Sequence, residues 1–230
     1  MTTNEIELPR LLLPPAALPV RASGLLFVNE QLLFVEQNEN GGWSSKFVTA
    51  QDARAAFSSA EQDSGWLPAG VVRVGSNAAG PWCVYSAPAQ RVDVLLEGDE
   101  QGFSLPIPRT VLLGAGDGYH LWSLKTTHFD PYAVTCSAPF PNVYDDGKIC
   151  WGSNTPGLVD PGKMRQVWEL FFSTPFNGHL IQNKSRTHKD DIRTVLRAMA
   201  EQKAKKYPLD DLAGTQQPVG QLINRILGVK

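Results

Sequence analysis

The chain has 230 residues, a mass of 25.2 kDa and a formal net charge of −2. Hydrophobic residues make up 42% of it and charged residues 19%, which is typical of a globular protein with a buried core and excludes a mainly disordered chain. A net charge so close to zero excludes a protein that binds nucleic acid through its overall charge. The length exceeds the roughly 150 residues usual for one domain, so one large domain and one domain with extensions are both open.

Charge is distributed unevenly along the chain. Residues 1–100 carry twelve acidic and six basic side chains, whereas residues 184–206 carry eight Lys or Arg and three acidic side chains. A local basic run of this kind is more often a solvated helix face than a docking surface, and we interpret it in that way.

The three cysteines, Cys83, Cys136 and Cys150, predict neither a disulfide framework nor a metal site. Their number is odd, and no pair has Cys-x-x-Cys spacing. We therefore expect free thiols in a reducing compartment, with Cys83 on a strand and Cys136 at a strand end. The N-terminus has no basic region, and prolines interrupt its apolar run, so we expect no signal peptide and no membrane span. We therefore expect a cytoplasmic protein. The near-neutral net charge predicts that it has no nucleic-acid partner.

Short strands and turns are predicted in the first half of the chain. The apolar runs 25–28 and 32–35 flank a short polar turn and predict a β-hairpin. Apolar spacing over 51–61 predicts a helix. The glycine-rich residues 114–118 are followed by no helix pattern, so a hairpin turn is favoured over a phosphate-binding loop. Five further strands are predicted, at 70–74, 82–86, 91–96, 109–113 and 119–124.

A core-facing helix is predicted after residue 160. Asp160 followed by Pro161 is typical of a helix N-terminus, and Thr174-Pro175 predicts its end. The apolar residues between them recur at i, i+3, i+4, i+7 and i+8, as on the buried face of a helix. They are Met164, Val167, Trp168, Phe171 and Phe172.

Two further amphipathic segments follow. A helix is predicted over 188–206, with Thr187 as its cap and with Asp190 and Asp191 in its first turn. A last apolar stripe is formed by Val219, Leu222, Ile223, Ile226 and Leu227. Because strands come first and helices afterwards, the order of elements predicts an α+β fold with an antiparallel β-meander.

The long irregular segment 136–162 is the candidate functional region. It is rich in Pro, Gly, Asn and Asp, and long irregular segments inside compact domains are usually functional. It nevertheless contains residues of the kind that is usually buried: Val143, Tyr144, Ile149 and Trp151. Asn142 precedes Cys150 by eight positions, and Asp145-Asp146-Gly147 predicts a turn between them. We therefore expect the segment to fold back and to bring Asn142 beside Cys150.

An Asn beside a Cys is a useful pair for acyl transfer. A thiolate attacks a carbonyl carbon, and a neutral carboxamide donates a hydrogen bond to the oxyanion that forms. A lone free cysteine is more often a small buried hydrophobe, but the loop and the spacing favour chemistry for Cys150. A turn-forming role and electrostatic attraction of an acceptor lysine explain the presence of Asp145 and Asp146 equally well.

The residues around Cys150 resemble those of ubiquitin-conjugating enzymes, in which His-Pro-Asn precedes a turn and then Gly-x-Ile-Cys. Pro141-Asn142 and Gly147-Lys148-Ile149-Cys150 reproduce this frame. Over roughly residues 66–180 the chain is similar to the bacterial ubiquitin-conjugating-like family D, the protein B type of PRTRC gene systems. The matching stretches are 66–68, 105–109, 121–125, 138–144, 150–152 and 168–172.

That resemblance implies a ubiquitin-conjugating-like fold, an antiparallel β-meander backed by helices with the catalytic Cys150 in an irregular loop. It also implies a carrier role, in which a ThiF-type activating enzyme passes a ubiquitin-like protein to Cys150 as a thioester that an amine then receives. No bound cofactor is implied, because the activating enzyme consumes the ATP. We expect 66–206 to be this domain, 1–65 an extension of hairpin plus helix, and 207–230 an amphipathic tail. Loop-positioning residues are Pro141, Tyr144, Asp145, Asp146 and Trp151.

The chain departs from the wider family at three places. Phe140 replaces the usual His, Trp151-Gly152 replaces Leu-Asp, and residues 176–179 lack the acidic residue often found after the cysteine. The change at Phe140 bears on loop geometry, since that His stabilises the loop. His179 lies in the third region and is a candidate base near Cys150.

Two alternatives stay open at this point. A cysteine peptidase or deconjugase would use Cys150 and His179 with Asn177 or Asn183, although the Gln and small residues that usually precede such a cysteine are absent. A non-catalytic variant would share the fold and only bind a ubiquitin-like protein.

Overall fold

The computed structural model describes residues 23–38, 40–53, 65–77 and 79–229. The chain divides into two compact units, residues 1–64 and 65–230. None of the helices in these ranges is both long enough and apolar enough to cross a membrane.

The first unit contains an antiparallel three-stranded sheet of order β1-β2-β3. The predicted hairpin is confirmed, because a two-residue turn with left-handed φ at Asn29 and Glu30 connects β1 to β2, as strand twist favours. The third strand has only scattered apolar residues and was not predicted. The predicted helix 51–61 has its first residues in helical conformation at 50–53, and the rest lies outside the described residues. The strands are β1 (Ser23–Val28), β2 (Gln31–Gln37) and β3 (Trp43–Val48).

The second unit is built on an antiparallel six-stranded sheet and a separate two-stranded ribbon. Its strands are β4 (Val71–Asn77), β5 (Gly80–Ala87), β6 (Gln90–Val94), β7 (Phe103–Ile107), β8 (Arg109–Ala115), β9 (Gly118–Leu124), β10 (Val134–Ser137) and β11 (Gly214–Pro218). The large sheet has the order β11-β10-β9-β8-β5-β4, and β6 pairs with β7. The five predicted strands are confirmed, and the glycine-rich 114–118 is the β8–β9 turn. Prediction missed β7, which contains a proline, and the short β10 and polar β11.

Three helices belong to this unit: α1 (Met164–Ser173), α2 (Ile192–Glu201) and α3 (Val219–Leu227). The start of α1 is as predicted, since the Asp160 carboxylate caps a short 3₁₀ turn by accepting a hydrogen bond from Gly162 N. All five residues of its predicted apolar stripe are buried, and it ends before Thr174.

The prediction for α2 was wrong at both ends. The helix begins at Ile192 and ends at Glu201 rather than covering 188–206, and its cap is Asp191, which accepts a hydrogen bond from Arg193 N at 2.9 Å. Thr187 is not a cap because its hydroxyl and main-chain N–H both donate to the Asp211 carboxylate, at 2.6 and 2.9 Å.

The large sheet is covered on both faces. Residues that alternate along its strands point to opposite sides, so that Cys83 and Tyr85 join one hydrophobic cluster and Trp82 and Val84 join the other. The first cluster includes α1, α2 and the β6–β7 ribbon, and the second includes α3. The architecture agrees with the predicted α+β class with antiparallel sheets and few helices. Cys136 is buried on β10 in the first cluster.

A buried hydrogen bond joins α1 to the sheet and yields a first prediction. Trp168 Nε1 donates to Thr110 Oγ1 at 2.8 Å, and both side chains are buried. Trp168→Phe leaves the hydroxyl without its donor and opens a small cavity, so we expect the free energy of unfolding to fall by roughly 2–4 kcal/mol.

Denaturant titration checks this prediction, with Trp66→Phe as the control because Trp66 is fully exposed. The control is expected to change the free energy of unfolding by less than about 0.5 kcal/mol. Equal effects of the two substitutions would contradict the prediction.

Candidate active site

Residues 142–150 fold back into a two-armed ribbon, called here the cysteine hairpin. Cys150 N donates to Asn142 O at 2.8 Å and Tyr144 N donates to Lys148 O at 2.8 Å. A third bond, from Gly147 N to Tyr144 O at 2.9 Å, closes the turn. Asn142 and Cys150 are therefore neighbours across the hairpin, as the turn residues between them predicted.

The Cys150 arm of the hairpin is docked on β9. Leu121 N donates to Gly147 O at 2.7 Å, and Ile149 N donates to Tyr119 O at 2.8 Å. The other end of β9 pairs with β10 at residues 122 and 123. The hairpin thus occupies the part of the β9 edge that β10 leaves open. Ile149 is buried in the first hydrophobic cluster, while Cys150 next to it is partly exposed.

The close contact between the turn of the hairpin and β9 requires a glycine at position 147. Its φ is +91°, a left-handed value that favours glycine, and a Cβ placed there would lie 2.2 Å from Trp122 Nε1. No other residue fits this close approach of the turn to β9.

Aromatic packing anchors the two ends of the hairpin. Phe140 is fully buried, with its ring centroid 5.0 Å from that of Phe172 and 6.0 Å from that of Phe176. Trp151 makes edge contacts with Tyr119 at 5.9 Å and with Phe171 at 6.3 Å. The residue that replaces the family's usual His therefore holds the loop by hydrophobic contact rather than by a polar bond. Pro141, the next residue, is also buried.

Asn142 is held in a specific conformation. It is buried, and its φ of +62° is one that Asn adopts more readily than most residues. Its side-chain Nδ2 donates to Pro175 O at 3.2 Å, and its main-chain N donates to His179 O at 3.5 Å. The buried Oδ1 has no hydrogen-bond partner among the described residues.

The main chain of His179 lies beside the hairpin, where its carbonyl oxygen accepts the hydrogen bond from Asn142 N. Its side chain is exposed, and its N–H donates to Asn177 Oδ1 at 2.9 Å. Within the described part of the chain its ring makes no hydrogen bond, to Cys150 or to any other residue. Asn177 is thus engaged in a local turn, and a Cys–His–Asn arrangement is not assembled here.

Lys184 is a site residue that the sequence analysis placed wrongly. It was assigned to a solvated basic run, but it is 1% exposed, and its Nζ donates to Val143 O at 2.6 Å. Burial lowers the pKa of this amine to about 8, while the negative charge of Asp145 acts in the opposite sense. No feature of the sequence around Lys184 marks it as buried, since it precedes the amphipathic pattern of α2.

The turn of the hairpin is polar and exposed. The prediction that Tyr144 is buried was wrong, because it is 45% exposed. Asp146 Oδ1 accepts a hydrogen bond from Lys148 N at 2.9 Å, which supports its turn-forming role, and Asp145 is exposed beside it. An open depression of about 590 Å³ leads to the cysteine, lined by Tyr144, Asp145, Asp146, Lys148, Ile149 and Cys150.

His120 is a second neighbour that sequence reasoning missed. It lies on β9 directly opposite Lys148, and its ring stacks on that of Trp122 with centroids 5.6 Å apart. Desolvation by burial lowers the pKa of His120, and the charge of Asp146 opposes this shift. The net shift favours the neutral form of the imidazole. Among the described residues, no cluster of three or more His, Cys, Asp or Glu side chains is placed to hold a metal ion.

Comparison with known families identifies the class of protein. The model of prokaryotic E2 family D matches residues 44–215, which is most of the chain. The chain belongs to this family, as the resemblance around Cys150 predicted. Membership associates it with ubiquitin-like conjugation and, in general terms, with an activating enzyme and a ubiquitin-like modifier as partners. Searches of curated proteins and of solved structures find no match.

Thiol alkylation provides a second prediction. Burial raises the pKa of Cys83 to about 12 and also raises that of Cys136, whereas Cys150 is partly exposed. Because alkylation requires an accessible thiolate, we expect iodoacetamide at pH 7.5 to label Cys150 at least ~100-fold faster than the other two cysteines.

Peptide mass spectrometry of the native protein measures the three rates. Cys150→Ser should remove the fast labelling, and a denaturant should equalise the rates of Cys83 and Cys136 with that of Cys150. Rapid labelling of Cys83 or Cys136 in the native protein would contradict the burial of that thiol.

Proposed function

We propose that the protein is an acyl carrier of a ubiquitin-like conjugation pathway. Cys150 accepts the C-terminal carboxyl of a ubiquitin-like modifier from a ThiF-type activating enzyme and passes it to an amine. The observation that carries the proposal is the pairing of Asn142 with Cys150 across a docked hairpin, in a member of a family of the ubiquitin-conjugating type.

Charging is a thioester exchange. The Cys150 thiol loses its proton to solvent, and the thiolate attacks the carbonyl carbon of the modifier's thioester on the activating enzyme. A new bond from Cys150 Sγ to this carbon forms while the bond to the activating enzyme's sulfur breaks, and that sulfur leaves as a thiolate. Because a cysteine sulfur is intrinsically a strong nucleophile and the thioester is an activated acyl donor, the exchange needs no Cys–His dyad.

Transfer to the acceptor is an aminolysis of the same bond. A neutral amine attacks the carbonyl carbon, the bond from nitrogen to carbon forms, and the Cys150 thiolate leaves as the nitrogen gives up a proton to solvent. The open depression beside Cys150 admits such an acceptor. The exposed Asp145 carboxylate near its rim favours the approach of a cationic amine over that of an anion.

Asn142 is suited to stabilising the oxyanion formed in both steps. A carboxamide nitrogen carries two hydrogens, and one of them is used in the bond from Nδ2 to Pro175 O. That bond restrains the amide plane, and in this proposal the second hydrogen is the one that binds the oxyanion. A fixed donor is worth more than a mobile one, because it need not reorganise during the reaction.

The main test is formation of a thioester. The protein is incubated with its cognate ThiF-type activating enzyme, ATP and ubiquitin-like modifier, and products are separated with and without thiol reductant. We expect a reductant-sensitive adduct of one modifier on Cys150, absent in Cys150→Ala.

Cys83→Ala is the matched control, because Cys83 is buried on β5, and it should charge as the unmodified chain does. If no adduct forms, or if Cys150→Ala still forms one, the carrier mechanism fails. Stable non-covalent binding of the modifier without an adduct would indicate a binding protein instead.

The role of Asn142 is tested with Asn142→Gly, which removes the side chain but tolerates the left-handed φ at this position. Loss of one oxyanion donor should slow transfer from Cys150 to free lysine by about 10²-fold, from a typical cost near 3 kcal/mol. Charging should slow less, because its nucleophile is a thiolate, which attacks a thioester more readily than the amine of the transfer step does.

Single-turnover discharge measures the effect. Asn154→Ala is the control, since Asn154 is a half-buried Asn whose Nδ2 donates to Thr174 Oγ1 outside the hairpin. Equal slowing of charging and transfer in Asn142→Gly would mean that the hairpin has collapsed and would refute the oxyanion role.

A further inference from the structure

Among the described residues, no strand pairs with the outer edge of the Asn142 arm of the cysteine hairpin. Val143 and Ile149 face each other in the ribbon, and in such a non-hydrogen-bonded pair the main-chain groups of both residues point outwards. The outward groups of Ile149 meet β9, where Tyr119 O accepts its N–H. The outward carbonyl of Val143 meets the side chain of Lys184 instead.

A single short segment supplies the hydrogen-bond partners that this open edge has among the described residues. Residues 175–184 follow α1 and provide Pro175 O for the Asn142 side chain, His179 O for the Asn142 N–H, and Lys184 Nζ for the Val143 carbonyl. The first two are main-chain acceptors. Of the three groups that this segment supplies, the Lys184 amine is the only donor and the only one from a side chain.

Hydrogen bonds made by the residues that directly follow Lys184 hold its main chain in place. Ser185, the next residue, pairs with Leu212 and donates its hydroxyl to Asp211 Oδ1 at 2.8 Å. Asp211 O accepts from Arg186 N at 2.8 Å, and its carboxylate accepts from Thr187. The main chain next to Lys184 is therefore attached to residues 211 and 212, which lie just before β11.

The burial of this amine is unfavourable for stability. No carboxylate lies within ion-pairing distance of Lys184 Nζ in the described residues, and Val143 O is its one protein acceptor. A buried ammonium with so little compensation destabilises a folded chain, and the lowered pKa has this origin. An apolar side chain of similar length would fill the same space without that cost. A charge-assisted hydrogen bond to a neutral carbonyl is, however, a strong and directional restraint.

We propose that Lys184 is a positioning residue that fixes the Asn142 arm of the cysteine hairpin, and through it the pairing of Asn142 with Cys150. The amine acts on Val143 rather than on the reacting atoms. This inference deepens the proposed function, since accurate placement of Asn142 and Cys150 matters for acyl transfer, but the restraint itself is measurable without a modifier.

The test compares Lys184→Met, which keeps the length and removes the donor, with Lys189→Met, which alters an exposed lysine five residues further along the chain. Hydrogen exchange at pH 7 follows the Cys150 and Tyr144 amides, which close the hairpin. We expect Lys184→Met to exchange both at least tenfold faster while amides of β5 and β8 stay unchanged, and Lys189→Met to behave as the unmodified protein.

Two further readouts separate positioning from simple structural support. In Lys184→Met, relief of the buried charge opposes the loss of the donor to Val143 O, so we expect no large loss of stability at pH 7. The stability of Lys184→Met relative to the unmodified protein should fall between about pH 8 and 10.5. The sign follows because the amine has a pKa near 8 when folded and 10.5 when unfolded, so the unfolded state binds more protons in this window and the unmodified chain gains stability as pH rises. Asp145, whose charge acts on the amine, is common to both proteins.

The second readout is chemical. The rate of Cys150 alkylation should change by at least threefold in Lys184→Met and not in Lys189→Met. Unchanged exchange of the hairpin amides, or faster exchange everywhere with a lower stability, would overturn the inference. If the protein forms no thioester but Lys184→Met loosens the hairpin alone, the positioning role stands and only the proposed function fails.

Discussion

The hydrogen bonds between β9 and the Cys150 arm are the constraint on which the candidate site depends. β10 pairs with only one end of β9, and the hairpin continues the sheet along the rest of that edge. Antiparallel pairing fixes the register, and a shift by one residue would exchange the buried and exposed side chains. In the observed register Ile149 enters the core and Cys150 remains reachable.

Hydrophobic and polar contacts have different roles around the hairpin. Phe140 and Trp151 bury rings at its two ends and so hold its position against the core. Hydrogen bonds from residues 175–184 set the conformation of the Asn142 arm, including its left-handed φ. This division of roles fixes the loop although Phe140 stands where the ubiquitin-conjugating enzymes that it resembles have a His before the Pro. A buried phenyl ring makes no directional bond. The orientation of the Asn142 arm therefore has to be set by its hydrogen bonds with residues 175–184.

Several elements were predictable because their causes are local. The Asp145-Asp146-Gly147 turn follows from the conformational preferences of its residues, and the apolar stripe of α1 follows from helical periodicity. The start of α2 was mispredicted because Thr187 and Asp191 are both good caps, and only the distant Asp211 withdraws Thr187 from that role. β11 has no apolar pattern, and it forms because the edge of β10 is available to it.

The sequence by itself determined the family, the candidate nucleophile and the fold-back that brings Asn142 beside Cys150, since these depend on residue types at short, fixed spacings. Only the tertiary structure decided that Tyr144 is exposed, that the His179 ring makes no hydrogen bond to the cysteine within the described part of the chain, and that Lys184 is buried against Val143. Burial and hydrogen-bond partners are set by segments far apart in the chain. A charged residue outside any periodic pattern therefore carries no local indication of whether it faces solvent or lies buried against the main chain of a loop, as Lys184 does.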